Sequence, residues 1–244
     1  MSRDEIYAED GYPVGPFEFS EAVARVFPDM LRRSIPGYGE TIRAIAELAR
    51  DAARSGTRFY DLGCSLGAAT EAMRDGITAA DCSDCRVIGV DNAPAMIQQC
   101  QARAGASQSA RRIEYQCADI NDIAIENASM VVMNYTLQFV APEQRADLIA
   151  RIAQGLRPGG VFVLSEKVVD PDPDIEASLV RLHHEFKRRH HYSDMEISRK
   201  RRALENVLVP DTVEQHQERL ASAGFAHSGV WLRQYNFISI LAIR

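Results

Sequence analysis

The chain has no apolar run approaching the ~20 residues that a membrane-spanning helix needs, so no membrane segment is expected. Its opening residues, Met1-Ser2-Arg3-Asp4-Glu5, are polar and carry no apolar core of a secretory signal. Cysteine is sparse and odd in number: Cys64, Cys82, Cys85, Cys100 and Cys117 are scattered, which predicts reduced thiols and a cytoplasmic protein. There is no internal repeat, no low-complexity stretch and no linker, so one domain over residues 1–244 is expected. Metal-site spacing is also missing. No H-E-x-x-H occurs, and Cys82-x-x-Cys85 stands alone where structural zinc wants four ligands, so it reads as a polar surface loop. His183-His184 and His190-His191 are sequence neighbours that face different directions on a helix, which disfavours chelation. Finally, excess positive charge is absent. The net charge of −6 argues against direct nucleic-acid contact.

What is present centres on Phe59-Tyr60-Asp61-Leu62-Gly63-Cys64-Ser65-Leu66-Gly67-Ala68-Ala69-Thr70. A β-prone run meets a glycine-bracketed turn and then a helix-compatible segment, the way a parallel sheet presents backbone N–H groups to a ligand. Val87-Ile88-Gly89-Val90-Asp91 is a second apolar strand ending in a carboxylate, placed to take both hydroxyls of a ribose. Ser65 stands where a dinucleotide-binding loop has its second glycine, so a ligand without a pyrophosphate, held through amino-acid and adenosine moieties, suits this loop better. Gly63-Cys64-Ser65-Leu66-Gly67 also fits the G-x-S-x-G elbow of hydrolases, but the preceding residues read as helices with no oxyanion loop. Asp119 and Ile120 follow a third strand, suited to an adenine amine and ring nitrogen. Asn134 ends a fourth. Four successive strand ends bearing such groups are more specific than any one of them.

The pattern along the chain is α/β. Residues 1–18 read as a flexible arm, and Ser20 caps a helix to Arg32 that Pro28 should kink or end. A helix over Tyr38–Arg54 follows. Strands are expected at Arg58–Leu62, Arg86–Asp91, Ile113–Ala118, Ser129–Tyr135 and Val161–Glu166, with Arg157-Pro158-Gly159-Gly160 a sharp stop before the fifth. Helices lie between most of them, which predicts a mostly parallel, Rossmann-like sheet covered on both faces. Residues 171–209 read as a helical insertion over the cofactor site, ahead of two terminal strands, Gly229–Tyr235 and Phe237–Ile243. Lys187 to Arg202 carries seven basic residues against Asp194 and Glu196: either a solvated face or an anion-binding wall over the cleft.

The strand-end residues resemble the S-adenosylmethionine-dependent methyltransferase fold, with its seven-stranded sheet and reversed terminal hairpin. Longer strings are similar to the carboxy-S-adenosyl-L-methionine synthase family: Val26-Phe27-Pro28-Asp29-Met30, Ser34-Ile35-Pro36-Gly37-Tyr38, Thr136-Leu137-Gln138-Phe139, Leu164-Ser165-Glu166-Lys167 and His183-His184-Glu185-Phe186-Lys187-Arg188. The resemblance implies a homodimeric cytoplasmic enzyme without metal. Its substrates would be S-adenosyl-L-methionine and prephenate, and its products carboxy-S-adenosyl-L-methionine and phenylpyruvate. A partner carboxymethyltransferase would use the carboxylated product on tRNA wobble uridine. In the implied chemistry prephenate aromatises, losing carbon dioxide and hydroxide; the hydroxide deprotonates the sulfonium methyl, which traps the carbon dioxide. The residues carried over as cofactor contacts are Tyr38, Gly63, Cys64, Ser65, Asp91, Asn92, Asp119, Ile120 and Asn134, with Arg201 as the catalytic group meeting the added carboxylate. Elementary electrostatics agrees. A guanidinium beside a sulfonium is repulsive unless an anion lies between them. Prephenate, a dicarboxylate, needs further cations, for which Lys167, Arg188 and Arg199 are candidates. The alternative is an ordinary methyltransferase acting on tRNA or a small molecule.

Overall fold

A computed structural model describes residues 2–8, 15–82, 84–105 and 112–244. Its strands are β1 (Arg58–Leu62), β2 (Arg86–Asp91), β3 (Ile113–Cys117), β4 (Ala128–Asn134), β5 (Leu156–Lys167), β6 (His227–Gln234) and β7 (Phe237–Ile243). They form one sheet in the order β3-β2-β1-β4-β5-β7-β6. The first five run parallel and β7 is antiparallel to both β5 and β6. Phe59, Leu62, Val87, Val90, Val131 and Val132 are buried, as central parallel strands covered on both faces require.

Helices α1 (Glu21–Ser34), α2 (Tyr38–Ala52), α3 (Ala68–Ala79), α4 (Pro94–Gly105), α5 (Pro142–Gly155), α6 (Pro173–Arg189), α7 (Asp194–Leu204) and α8 (Val213–Ser222) complete the chain. One face of the sheet packs Phe59, Met130 and Val163 against Ile45 of α2 and Met73 of α3. The other packs Val131, Phe162 and Ile240 against Leu148 of α5 and Leu220 of α8. A third cluster joins Phe27 and Met30 of α1, Met96 of α4 and Ala203 of α7, which holds α1 and α7 over the carboxyl edge of the sheet.

The boundaries differ from expectation in instructive places. Pro28 neither ends nor breaks α1, which runs on to Ser34; proline removes one backbone donor, and burial of Val23, Val26, Phe27 and Met30 offsets the loss. Arg157–Gly160 is not a stop before the fifth strand. β5 begins at Leu156, opposite Ala128, and the stretch bulges before Met130 meets Val161. Gly159 takes a left-handed φ of 74° there and its N–H reaches the Arg244 carbonyl at 2.8 Å. In the expected arm, residues 9–14 lie outside the described residues, but Asp4 is held tightly. Its N–H donates to Asp29 (2.9 Å), its carbonyl accepts from Arg33 (2.9 Å), and its carboxylate takes the Tyr192 hydroxyl. Cys82-x-x-Cys85 is not simply surface either: Cys85 is buried beneath α2 and α3, with the Cys82 sulfur 2.6 Å from its own.

Among the described residues no helix is long and apolar enough to cross a membrane.

Candidate functional site

A cavity of about 490 Å³ opens at the carboxyl edge of the sheet, where open α/β sheets bind ligands. Its floor is the turn after β1. Gly63 and Gly67 adopt φ of 80° and 78°. A Cβ on Gly63 would sit 2.3 Å from Thr136 Cγ2, and one on Gly67 would sit 2.5 Å from the Tyr115 hydroxyl. The turn is therefore closed on one side by β4's end and on the other by β3. The amides of Gly63 and Cys64 both donate to the Val90 carbonyl (2.8 and 2.9 Å), stitching the turn to β2.

Asp91 ends β2 with its carboxylate fixed by two backbone donors, Ser65 N–H at 2.8 Å and Ala93 N–H at 2.9 Å. Burial pushes its pKa above the usual carboxylate value, while those amides pull the other way. Asp61, within the first strand, is fully buried and pushed up to about 7, chiefly by desolvation. Thr70 donates to its Oδ2 at 2.6 Å, and its Oδ1 has no partner. Asn134 Oδ1 is likewise buried and unpartnered. Two orphaned acceptors facing one cavity are complementary to a ligand bearing N–H groups or a positive charge. Asp119 holds its own loop, accepting Asn121 N–H at 2.8 Å.

Nine residues singled out from sequence therefore converge on the cavity lining: Tyr38, Gly63, Cys64, Ser65, Asp91, Asn92, Asp119, Ile120 and Asn134. Tyr38 stacks obliquely on Tyr135, ring centroids 6.4 Å apart. Arg201 is the exception. It is exposed and absent from the lining. The Ser193–Glu196 capping box sets the phase of α7, and that phase turns Ile197, Lys200 and Ala203 inward. A neighbouring helical position points about 100° away, so Lys200 enters the cavity and Arg201 stands at its rim. Burial lowers the pKa of both Lys167 and His184, and the Arg201 charge adds to the effect on each.

Lys187 and Lys200, from the basic stretch that could be either a solvated face or an anion-binding wall, line the cavity, as does His183, which was not singled out as a site residue. His183 and Lys187 are one helical turn apart on α6 and share its inward face. His183 Nε2 is 2.8 Å from the Ser34 carbonyl, which fixes that nitrogen as the protonated one. Burial, reinforced by Lys187, pushes its pKa down to about 2, so His183 is neutral. Of the earlier prephenate candidates only Lys167 lines the cavity. Arg188 is exposed and paired with Glu185 and Asp194, and Arg199 donates to the Tyr7 carbonyl. Glu166, buried beside Lys167, accepts the amides of Leu137 and Gln138 (both 2.9 Å), which fixes the turn after β4.

A sheet of this order with ligand-ready ends on β1 to β4 defines the methyltransferase class. Residues 59–160 match the family model described as "Methyltransferase domain". Solved structures with the same fold include human N-acetylserotonin methyltransferase in complex with SAM (TM-score 0.58, 17% identity, 99% of this chain and 63% of that one). Magnesium protoporphyrin IX methyltransferase from Synechocystis PCC 6803 is similar (TM-score 0.57, 15% identity, 85% and 80% covered). Within that class the sequence is far closer to the carboxy-S-adenosyl-L-methionine synthases of Shewanella sediminis (49% identical, 100% of this chain and 99% of that protein) and Citrifermentans bemidjiense (50%, 99% and 98%). The chain belongs to the carboxy-S-adenosyl-L-methionine synthase family.

Proposed function

We propose that this chain converts S-adenosyl-L-methionine and prephenate into carboxy-S-adenosyl-L-methionine and phenylpyruvate. The observation that carries the reading is the charge of the cavity wall. Lys167, Lys187 and Lys200 line the same space as the strand-end residues; Lys200 has Asp4 beside it, and lysines such as Lys167 and Lys187 beside a sulfonium call for an anion between them. A methyl-transferring enzyme has no need of that arrangement. The cations facing the ligand are thus the lysines, and Arg201 contributes from the rim.

In this reading Asp91 takes the ribose hydroxyls, Asp119 and Ile120 take the adenine edge, and the Gly63–Ser65 turn takes the amino-acid end. The unpartnered Asp61 Oδ1 and Asn134 Oδ1 find donors in the cationic substrate. The bound S-adenosyl-L-methionine supplies an acidic methyl carbon. The chain supplies proximity, neutralisation of the dicarboxylate and exclusion of water, the last through the apolar roof of Phe19, Phe27 and Phe139. No strong protein base is required, because hydroxide is a product of prephenate aromatisation. We infer a cytoplasmic homodimer that hands its product to a tRNA wobble-uridine carboxymethyltransferase without touching tRNA itself.

Prephenate-dependent phenylpyruvate formation in the presence of S-adenosyl-L-methionine tests the reading. Turnover of both substrates in equal amounts supports it. Methyl transfer to tRNA with no use of prephenate would replace it with the methyltransferase alternative.

A further inference from the structure

The sequence contains only three lysines among its 28 lysines and arginines. They come from three separate elements: Lys167 at the end of β5, Lys187 on α6 and Lys200 on α7. All three line the one cavity. Everywhere else this chain uses arginine for positive charge. Lysine differs in being a compact point charge on a flexible stem that tolerates partial desolvation and can shed its proton.

The three are not equivalent. Lys200 Nζ donates to Ser34 Oγ at 3.0 Å and lies 3.8 Å from the Asp4 carboxylate. His183 holds the Ser34 carbonyl. Lys200 therefore serves the protein, tying α7 to the end of α1 and to the N-terminal segment at Asp4. Lys187 and Lys167 have no carboxylate within ion-pair distance among the described residues. Lys187 feels the charges of Lys200 and Lys167, and Lys167 those of Glu176 and Arg201, with no carboxylate in contact with either ammonium among the described residues. Leaving two such groups unpaired in a half-buried wall is unfavourable unless a ligand brings the countercharge.

Position identifies which ligand. The nucleoside-directed groups occupy the ends of β3, β2, β1 and β4, whereas Lys167 ends β5, on the far side of β4, and His183 of α6 packs its ring 4.8 Å from Phe237, the β7 residue paired with Lys167. The lysine pair therefore faces the acceptor side of the site. Resting on the function proposed above, we propose that Lys187 and Lys167 form the seat for the α-keto acid carboxylate of prephenate, the carboxylate that survives in phenylpyruvate.

Chemistry selects that carboxylate over the one on the ring. As the dianion aromatises, the bond between the ring and its carboxylate breaks and releases carbon dioxide. The ring C–O bond breaks and releases hydroxide, leaving the phenylpyruvate monoanion, so atoms and charge balance. Pairing the ring carboxylate with ammoniums would stabilise the ground state against losing carbon dioxide. Pairing the keto acid end binds substrate and transition state alike. The ring carboxylate is left to the apolar lining of Phe19 and Phe139, whose rings meet edge-on at 5.6 Å.

Calorimetric binding of phenylpyruvate and of S-adenosyl-L-methionine to the wild type, Lys187→Met and Lys167→Met tests the assignment, alongside prephenate turnover. Methionine matches the length of the stem and leaves no protein carboxylate unpaired, and retained S-adenosyl-L-methionine affinity shows the fold intact. The expected result is an affinity for phenylpyruvate lowered about tenfold or more in each variant, as loss of a charge-assisted pair requires. Prephenate KM should rise in parallel, kcat should change much less, and S-adenosyl-L-methionine affinity should stay within about twofold. With only three lysines present, an amine-selective reagent adds a direct readout: phenylpyruvate should protect Lys187 from modification. Unchanged phenylpyruvate affinity in both variants, with no protection of Lys187, overturns the seat even if prephenate turnover is normal. Protection of Lys187 by phenylpyruvate in an enzyme that does not turn prephenate over keeps the seat and overturns the functional reading.

Discussion

Binding of phenylpyruvate at about pH 8 is expected to draw a proton from solvent. Lys187 is the origin. Loss of hydration, reinforced by Lys200 and Lys167, lowers its pKa from the ordinary 10.5 to about 7. A group with that pKa is about nine-tenths neutral at pH 8. A carboxylate set against it favours the charged form, so uptake from Lys187 approaches about 0.9 proton per site. The other groups facing it are Lys167 from β5, His183 and His184 from its own helix, and Lys200 from α7. His183, held near 2, stays neutral throughout. Lys200, lowered to about 8, adds at most about half a proton. At about pH 6 both lysines are already charged and uptake should vanish. Calorimetry in phosphate and in Tris, which differ in ionisation enthalpy, reads the proton count directly. Equal heats in the two buffers at pH 8, or undiminished uptake in Lys187→Met, would refute the reasoning. The same depressed pKa fixes a stability slope for the ligand-free enzyme. The unfolded chain charges Lys187 near 10.5 and the folded one near 7. This group's contribution to stability is thus present above 10.5, is lost as pH falls toward 7, and changes no further below that.

Three further outcomes can be checked separately. Gly63→Ala should destabilise the protein by about 2–4 kcal/mol, from the left-handed φ and the collision with Thr136. In Gly63→Ala/Thr136→Ser only part of that loss should return, and thermal unfolding of the pair measures the split. Asp91→Asn keeps one acceptor but sets an amide N–H against a backbone donor, so S-adenosyl-L-methionine affinity should fall by about 1–3 kcal/mol by calorimetry. Arg201→Ala should weaken carboxy-S-adenosyl-L-methionine more than S-adenosyl-L-methionine. Equal losses in titrations with the two ligands would reduce Arg201 to an ordinary rim residue.

Much of the fold was legible because its central strands are apolar runs with ligand-bearing ends. β1 and β2 were placed correctly for that reason, and Asp91, Asp119 and Asn134 followed as their termini or successors. Pro158-Gly159-Gly160 misled because a proline and two glycines mark a stop in most contexts. Here the strand bulges and is held by Arg244, a partner distant in sequence. The run Arg199-Lys200-Arg201-Arg202 could not by itself say which cation faces inward. That depends on the phase of α7, and the signal for the phase was in the sequence as Ser193 and Glu196 three residues apart. The basic run over residues 187–202 left an anion-binding wall open, but which of its cations face inward, and that Lys167 joins them from β5, depends on three elements meeting in space.

Prephenate carrying a heavy-carbon label in its ring carboxylate, incubated with the enzyme and S-adenosyl-L-methionine, should yield a sulfonium product whose mass includes the label, together with unlabelled phenylpyruvate. Recovery of unchanged S-adenosyl-L-methionine, with all of the label in bicarbonate or still in prephenate, would contradict the account.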